Sequence, residues 1–267
     1  TAVIPAVQLT SAGTLPLTVV TPAPGGGTSA ALNLAVVVVV TITPSAPTVI
    51  VAQTQQFTPT VVGATNTDVT WSVNNVAGGS SLLGTISASG LYSAPAAPPS
   101  PHTVTIKATS VADPWRSAST TATIINSVPV LSSVTPLTID AGSGGTTLGI
   151  LGSGFATQSV VRANGAPLAT SFVSSSQLTA TLPAAMLAAA GTLTIDVSTP
   201  SPGGGTTSSV DVQVLVVVQV SSGITSILTG QTQQLTATVI GTADQTVTWT
   251  IDGAGAGNST VGTISSN

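Results

Sequence analysis

Glutamate and cysteine are absent from this 267-residue chain, and only 4% of its residues are charged. Ordinary soluble domains hold about 25% charged residues, so the polar surfaces here must be built from something else. Without cysteine there is no disulfide and no thiolate site, and the redox compartment is left unspecified. Three basic residues cannot build a phosphate-tracking surface, which argues against nucleic acid as a partner. Long apolar runs are missing too. Mean hydropathy is +0.56, yet the longest run, Leu34–Val40, stops at Thr41, far short of the roughly 18 residues a spanning helix needs. Aromatics make up 3% of the chain, too few for the Trp and Tyr girdles of an outer-membrane barrel. No signal peptide is visible. The opening Thr1-Ala2-Val3 has no Met or basic segment and suits a mature or excerpted fragment.

What is present is apolar and hydroxylic. Hydrophobic residues reach 42%, enough to bury a core, and Ser and Thr supply roughly 30% of the chain, so polar strand faces are hydroxyl faces. The length has room for two to three domains of about 90 residues.

The chain repeats itself. Gln53-Thr54-Gln55-Gln56-Phe57, followed by Gly63 and Val69-Thr70-Trp71-Ser72-Val73, recurs as Gln231-Thr232-Gln233-Gln234-Leu235, Gly241 and Val247-Thr248-Trp249-Thr250-Ile251, 178 residues later. At that offset residues 1–89 align with 179–267 without a gap, and roughly two pairs in five are identical. Both ends are therefore expected to fall inside a domain, so that either the parent chain is longer or neighbouring subunits complete the halves. Four segments follow: 1–38, the C-terminal half of one domain; 39–125 and 126–216, two complete domains; and 217–267, the N-terminal part of a fourth.

Short alternating runs separated by Gly, Pro and Asn/Asp turns predict antiparallel sandwiches throughout. In 39–125 these runs are Gln56–Val62, Val69–Val73, Val104–Thr109 and Thr120–Ile125. Only Ala184–Ala190 reads as helical, for two turns at most. In Val69–Val73 the odd positions share one face, which places Trp71 in the core between two valines; Trp249 is expected to do the same in the second copy. Gly152 and Gly154, flanking Ser153, predict a bulge or tight turn. At the junctions, Leu32–Ile42 and Val210–Val220 carry strand pattern from one domain into the next with no Gly/Ser linker, which predicts stiff connections.

The 39–125 segment resembles the bacterial immunoglobulin-like group 2 family of invasin- and intimin-type surface proteins. The resemblance rests on Gln53–Phe57, Val69–Val73, Gly84-Thr85-Ile86-Ser87, Gly90-Leu91-Tyr92-Ser93-Ala94-Pro95 and Val104–Ser110. The 126–216 segment resembles an IPT/TIG domain through Val134-Thr135-Pro136, Leu151-Gly152-Ser153-Gly154-Phe155, Ala163-Asn164-Gly165 and Gln177–Pro183. Both resemblances imply Ig-like sandwiches in extracellular or surface proteins, and neither implies catalysis.

The chemistry-bearing residues agree. His102, the one histidine, has no acid or nucleophile partner in sequence. Asp196 and Asp211 lie on adjoining predicted strands and are expected to approach one another on an exposed face; their counterparts, Thr18 and Asn33, speak against a catalytic pair. No Asp-x-Asp run suggests calcium. Lys107, the one lysine, should point outward, and with no Glu in the chain an internal isopeptide bond is disfavoured. No catalytic, cofactor or metal site is expected.

Two residues suggest contacts. Trp115, in Ala112-Asp113-Pro114-Trp115-Arg116, reads as a hairpin tip whose ring packs on a neighbouring domain, stacks on a sugar, or folds back on its own domain. Asn258-Ser259-Thr260 is a lone N-glycan sequon whose counterpart is Ser80. Pro95–Thr103, Thr21–Ser29 and Thr199–Ser209 have the composition of O-glycosylated segments.

Uncharged β edges invite pairing with other chains. The sequence therefore reads as all-β, tandem Ig-like sandwiches in a rod or filament. Its expected role is a structural segment of a bacterial extracellular or cell-surface fibre that self-associates and carries O-glycans. The alternatives are an adhesin or carbohydrate-binding stalk, and spacer modules of a large secreted enzyme.

Overall fold

A computed structural model describes residues 2–5, 11–255, 257–258 and 262–265. The described residues contain no α-helix, and no helix is long and apolar enough to cross a membrane. Two compact units are present: residues 1–128 with 200–205, and residues 129–199 with 206–267.

In the first unit, β1 (Gly13–Leu17) pairs antiparallel with β2 (Leu32–Val36). The Ig-like sandwich follows almost at once with β3 (Val39–Thr43), β4 (Thr48–Ile50), β5 (Thr54–Gln56) and β6 (Thr58–Val62). Next come β7 (Val69–Val73), β8 (Val76–Ala77), β9 (Gly79–Ser80), β10 (Gly84–Ile86) and β11 (Leu91–Ser93). The long hairpin of β12 (Thr103–Ser110) and β13 (Ser117–Ile125) completes it. One sheet has the order β4-β13-β12-β7-β8 and the other β5-β11-β10-β9, with β3 paired to β6.

The expected run Gln56–Val62 is two strands. Between them Phe57 turns its side chain fully into the core, and its amide donates to Gly90. Phe57 meets Tyr92 edge-on at 6.4 Å, an arrangement aromatic quadrupoles favour. Around this pair lie Trp71, Val73, Val104, Ile106, Ala108, Ala122 and Ile124. With no disulfide to span the sheets, these side chains join them.

In the second unit, one sheet has the order β14 (Val130–Thr135), β16 (Thr146–Ser153), β20 (Gln177–Leu182), β19 (Ala169–Ser174). The other contains β15 (Thr138–Asp140), β17 (Val160–Ala163), β18 (Ala166–Pro167), β21 (Gly191–Thr199) and β23 (Val210–Leu215). The two-residue β22 (Gly205–Thr206) lies between β21 and β23 in sequence. Leu148, Ile150, Leu178, Leu182, Ile195 and Val212 fill the space between the sheets. The expected helix at Ala184–Ala190 is a single 3-10 turn, Ala184–Leu187, which buries Leu187. Gly152 and Gly154 have separate reasons. A side chain on Gly152 would meet the Val130 carbonyl and the Phe155 ring, and Gly154 turns the chain at φ +70. The bulge itself lies in the partner strand, between Leu131 and Ser133.

Both sandwiches share one device. The first strand pairs antiparallel in one sheet, β3 with β6 and β14 with β16. The chain then switches sheets to pair in parallel with the last strand, β4 with β13 and β15 with β23. Thr43-Pro44 and Thr135-Pro136 stand at the switch, where proline's missing N–H costs no ladder bond.

After β23, β24 (Val217–Ser222) pairs with β25 (Leu235–Ile240). The second tryptophan departs from expectation. Trp249 is half-buried and outside any strand, and only Thr250–Ile251 of the expected Val247–Ile251 is extended, as β26. Trp71 is 6% exposed because β12 lies beside it, with Ala108 opposite.

Candidate functional site

The hairpin of β12 and β13 carries the most distinctive surface of the first unit. On β12, Val104, Ile106, Ala108 and Ser110 are buried; on β13, Ala122 and Ile124 are. The alternate positions face away from the core. Register sets Thr103 opposite Thr123, Thr105 opposite Thr121, Lys107 opposite Ser119 and Thr109 opposite Ser117. Strand β7 extends the last two rows with Ser72 and Thr70, and β4 adds Thr48 beside Thr123. Thr105, Thr121, Ser119 and Ser117 are exposed, and Thr103, Thr109 and Thr123 half-buried. The result is a sheet face of hydroxyls with a single charge, Lys107, bounded at its β4 edge by the opposed Ile50 and Ile125.

The hairpin ends in a rigid turn. The Asp113 carboxylate accepts the Trp115 amide at 3.1 Å, and the Asp113 carbonyl accepts the Arg116 amide. The Ser110 hydroxyl accepts the Asp113 amide at 3.2 Å, and Arg116 lies 3.8 Å from the Asp113 carboxylate. From this frame the Trp115 side chain projects 94% exposed. It does not fold back on its own domain. Water around so large an apolar ring is unfavourable, and the fold gains nothing from placing it there.

Elsewhere the surface offers little reactive chemistry. An open cleft of about 470 Å³ lies at the edge of Trp71, lined by Pro59, Thr67, Asp68, Val69, Ala88 and Ser89. Its one ionisable group, Asp68, has no second acid or base beside it among these residues. His102 is exposed in its loop and uses its carbonyl to accept the Ile124 amide. The described residues hold no cluster of three or more His, Cys, Asp or Glu. Burial pushes the Tyr92 hydroxyl up to about 12, and that hydroxyl donates to the Leu83 carbonyl at 2.7 Å, a structural contact.

Asp196 and Asp211 lie on the paired strands β21 and β23, offset from one another by two residues. Register places Asp211 opposite Thr194 and Asp196 opposite Arg162, and the Arg162 guanidinium donates to Asp196 at 2.7 Å. This ion pair lies on the β17 side of Asp196, and β23 with Asp211 lies on the other. Arg162 carries no local motif that reveals this partner; only the pairing of β17 with β21 does.

Asn126 was also silent in the sequence. It is 2% exposed, and residues 200–205 of its own unit wrap around it. Its amide donates to Pro202 at 2.8 Å, its carbonyl accepts from Gly204 at 3.3 Å, and its side-chain amide donates to Pro200 at 2.9 Å. Gly203, at φ +71, leaves room for the Asn126 backbone. Asn258 is exposed at the end of a two-residue strand; Ser259 and Thr260, which complete its sequon, lie outside the described residues.

A search of curated proteins finds no match. Three solved structures share low identity with the chain. SGBP-B of the Bacteroides ovatus mixed-linkage glucan utilization locus, in complex with a mixed-linkage heptasaccharide, is 15% identical over 78% of this chain and 62% of its own, at a TM-score of 0.26. An auxiliary nutrient binding protein of Bacteroides thetaiotaomicron is 18% identical over 40% of this chain and 25% of its own, at 0.26. Immunoglobulin domains 1–5 of Sidekick-1 are 15% identical over 80% of this chain and 48% of theirs, at 0.28. The chain thus spans less than two thirds of the length of each of these proteins. One family model, that of the IPT/TIG domain, matches residues 129–237, and the chain therefore carries an IPT/TIG domain.

Proposed function

We propose that this chain is a structural repeat segment of a bacterial extracellular or cell-surface fibre, in which IPT/TIG-like domains alternate with group-2 Ig-like domains. The observation that carries this reading is the recurrence of one junction. The Ala12 amide donates to the Gly63 carbonyl at 2.7 Å, and 178 residues later the Ala190 amide donates to Gly241 at the same distance. At both places strand follows strand closely, β2 ending at Val36 before β3 begins at Val39, and β23 ending at Leu215 before β24 begins at Val217. A hydrogen-bonded junction between extended segments resists bending better than a Gly/Ser linker, which suits an element that supplies reach. Near-absence of charge suits lateral packing with other copies, and the exposed Thr21–Ser29 segment suits O-glycans. Electron microscopy of native material tests the fibre, which is expected to show filaments; dispersed, flexible monomers would overturn it. Recovery of the Thr21–Ser29 segment from native material at its unmodified peptide mass would remove the glycans there.

One observation favours a second reading, an adhesin or carbohydrate-binding stalk. Trp115 is 94% exposed on a rigid turn, and aromatic rings so presented stack on apolar sugar faces. Replacing Trp115 with Ala is expected to weaken glycan-array binding and leave folding unchanged.

A further inference from the structure

We infer that the outer face of the β4-β13-β12-β7 sheet and the Trp115 ring at the tip of its hairpin form one binding surface for a neutral polysaccharide. The inference rests on the second reading above and adds to it the extent of the site and the class of glycan. The face is a two-dimensional array. Thr103 and Thr123, Thr105 and Thr121, and Thr109 and Ser117 stand in directly opposed pairs. Opposed residues in antiparallel strands lie about 5 Å apart and successive rows about 7 Å.

The composition of the face selects its partner. A polyanion needs several cations; Lys107 is the one cation of the array, and Arg116 at the tip is already offset by the Asp113 carboxylate 3.8 Å away. A protein partner would need a desolvated apolar centre with aromatic or aliphatic anchors, and the rows between Thr103 and Thr109 present hydroxyls there instead. A neutral sugar chain matches on both counts. Its hydroxyls donate and accept as those of Thr and Ser do, so each contact exchanges one hydrogen bond with water for another of similar strength. Each such contact contributes little, so binding needs all four rows in succession, which a chain of several sugar units spans and a single sugar does not. Trp115 at the hairpin tip and the exposed Ile50 at the β4 edge supply the apolar contact that the hydroxyl rows lack. The β-branched Thr side chains keep few rotamers in a strand, which lowers the entropy lost on binding.

The test is affinity electrophoresis of the full chain in gels containing hydroxyethylcellulose, mannan or dextran. Retardation by at least one of these polymers is expected, with little change on raising the salt, since no ion pair is involved. Trp115→Ala is expected to lower affinity about tenfold. The double variant Thr105→Val, Thr121→Val keeps strand-favouring shape and removes two hydroxyls; a loss of about threefold to tenfold is expected. Thr105→Ser with Thr121→Ser restores the hydroxyls and is expected to restore binding. Loss with Trp115→Ala but none with the valine variant would overturn the sheet face and leave Trp115 as an isolated contact. No retardation by any of the three polymers, or none of the variants altering it, would overturn both readings.

Discussion

The Ala190 amide donates to the Gly241 carbonyl at 2.7 Å, joining the loop that precedes β21 to the turn that follows β25. Gly241 stands at φ +94, and a side chain there would meet the Cβ of Ala141. Left-handed backbone costs an L-residue roughly 1–2 kcal/mol before any clash. Gly241→Ala is therefore expected to destabilise its unit by about 2–3 kcal/mol, read as a lower urea midpoint. Gly63, at φ +89 with the Val37 carbonyl 3.3 Å from the position of an added Cβ, is expected to cost about 1–2 kcal/mol. An unchanged midpoint in both variants would show that the junction adds no stability.

Asn126 is the second structural lock. Asn126→Ala removes the donor to the Pro200 carbonyl, and a hydrogen bond of this kind contributes about 0.5–1.5 kcal/mol net. Asn126→Asp should cost more. The side-chain oxygen already lacks a hydrogen-bond partner in its buried site, and an ionised carboxylate would be desolvated there. Chemical denaturation of the pair at neutral pH checks the order.

The three tryptophans are expected to separate in stability. Trp71 is 6% exposed, so Trp71→Ala should lose about 3–5 kcal/mol. Trp249 is half-buried and should lose less. Trp115→Ala, with 94% exposure, should stay within about 0.5 kcal/mol of the parent. Equal effects at Trp71 and Trp249 would contradict the difference in their surroundings.

Alkaline pH should loosen the Ig-like sandwich through Tyr92. Its hydroxyl is raised to about 12 from 10.0 by burial, so between these values the unfolded chain releases a proton that the folded chain keeps. The stabilisation is complete below pH 10.0 and is lost as pH rises towards about 12, with a total on the order of 2–3 kcal/mol. Denaturation midpoints across this range should fall in the parent and fall less in Tyr92→Phe.

Alternation along single strands was legible without any tertiary information. In Val69–Val73 and Val104–Thr109 the side-chain period of two is set by the backbone alone, so the burial of Trp71, Val73, Val104 and Ile106 follows from reading every second residue. Turn residues were legible for a similar local reason: Asn164 takes φ +49 ahead of Gly165, as an Asn-Gly hairpin requires. What lies across from a residue is a different matter, because strand register joins positions far apart in sequence. Asp196 has the same neighbours in sequence whatever lies beside β21, and only the pairing of β17 with β21 brings Arg162 to it. Trp71 is sealed by β12, whose Ala108 stands opposite it from 37 residues further along the chain. Asn126 is held by residues 74 and more positions away. The sequence by itself determined which faces are apolar and which are hydroxylic, since that depends on local period; tertiary structure alone decided which side chains are opposed, sealed or left in solvent, since burial requires a partner that sequence proximity does not provide.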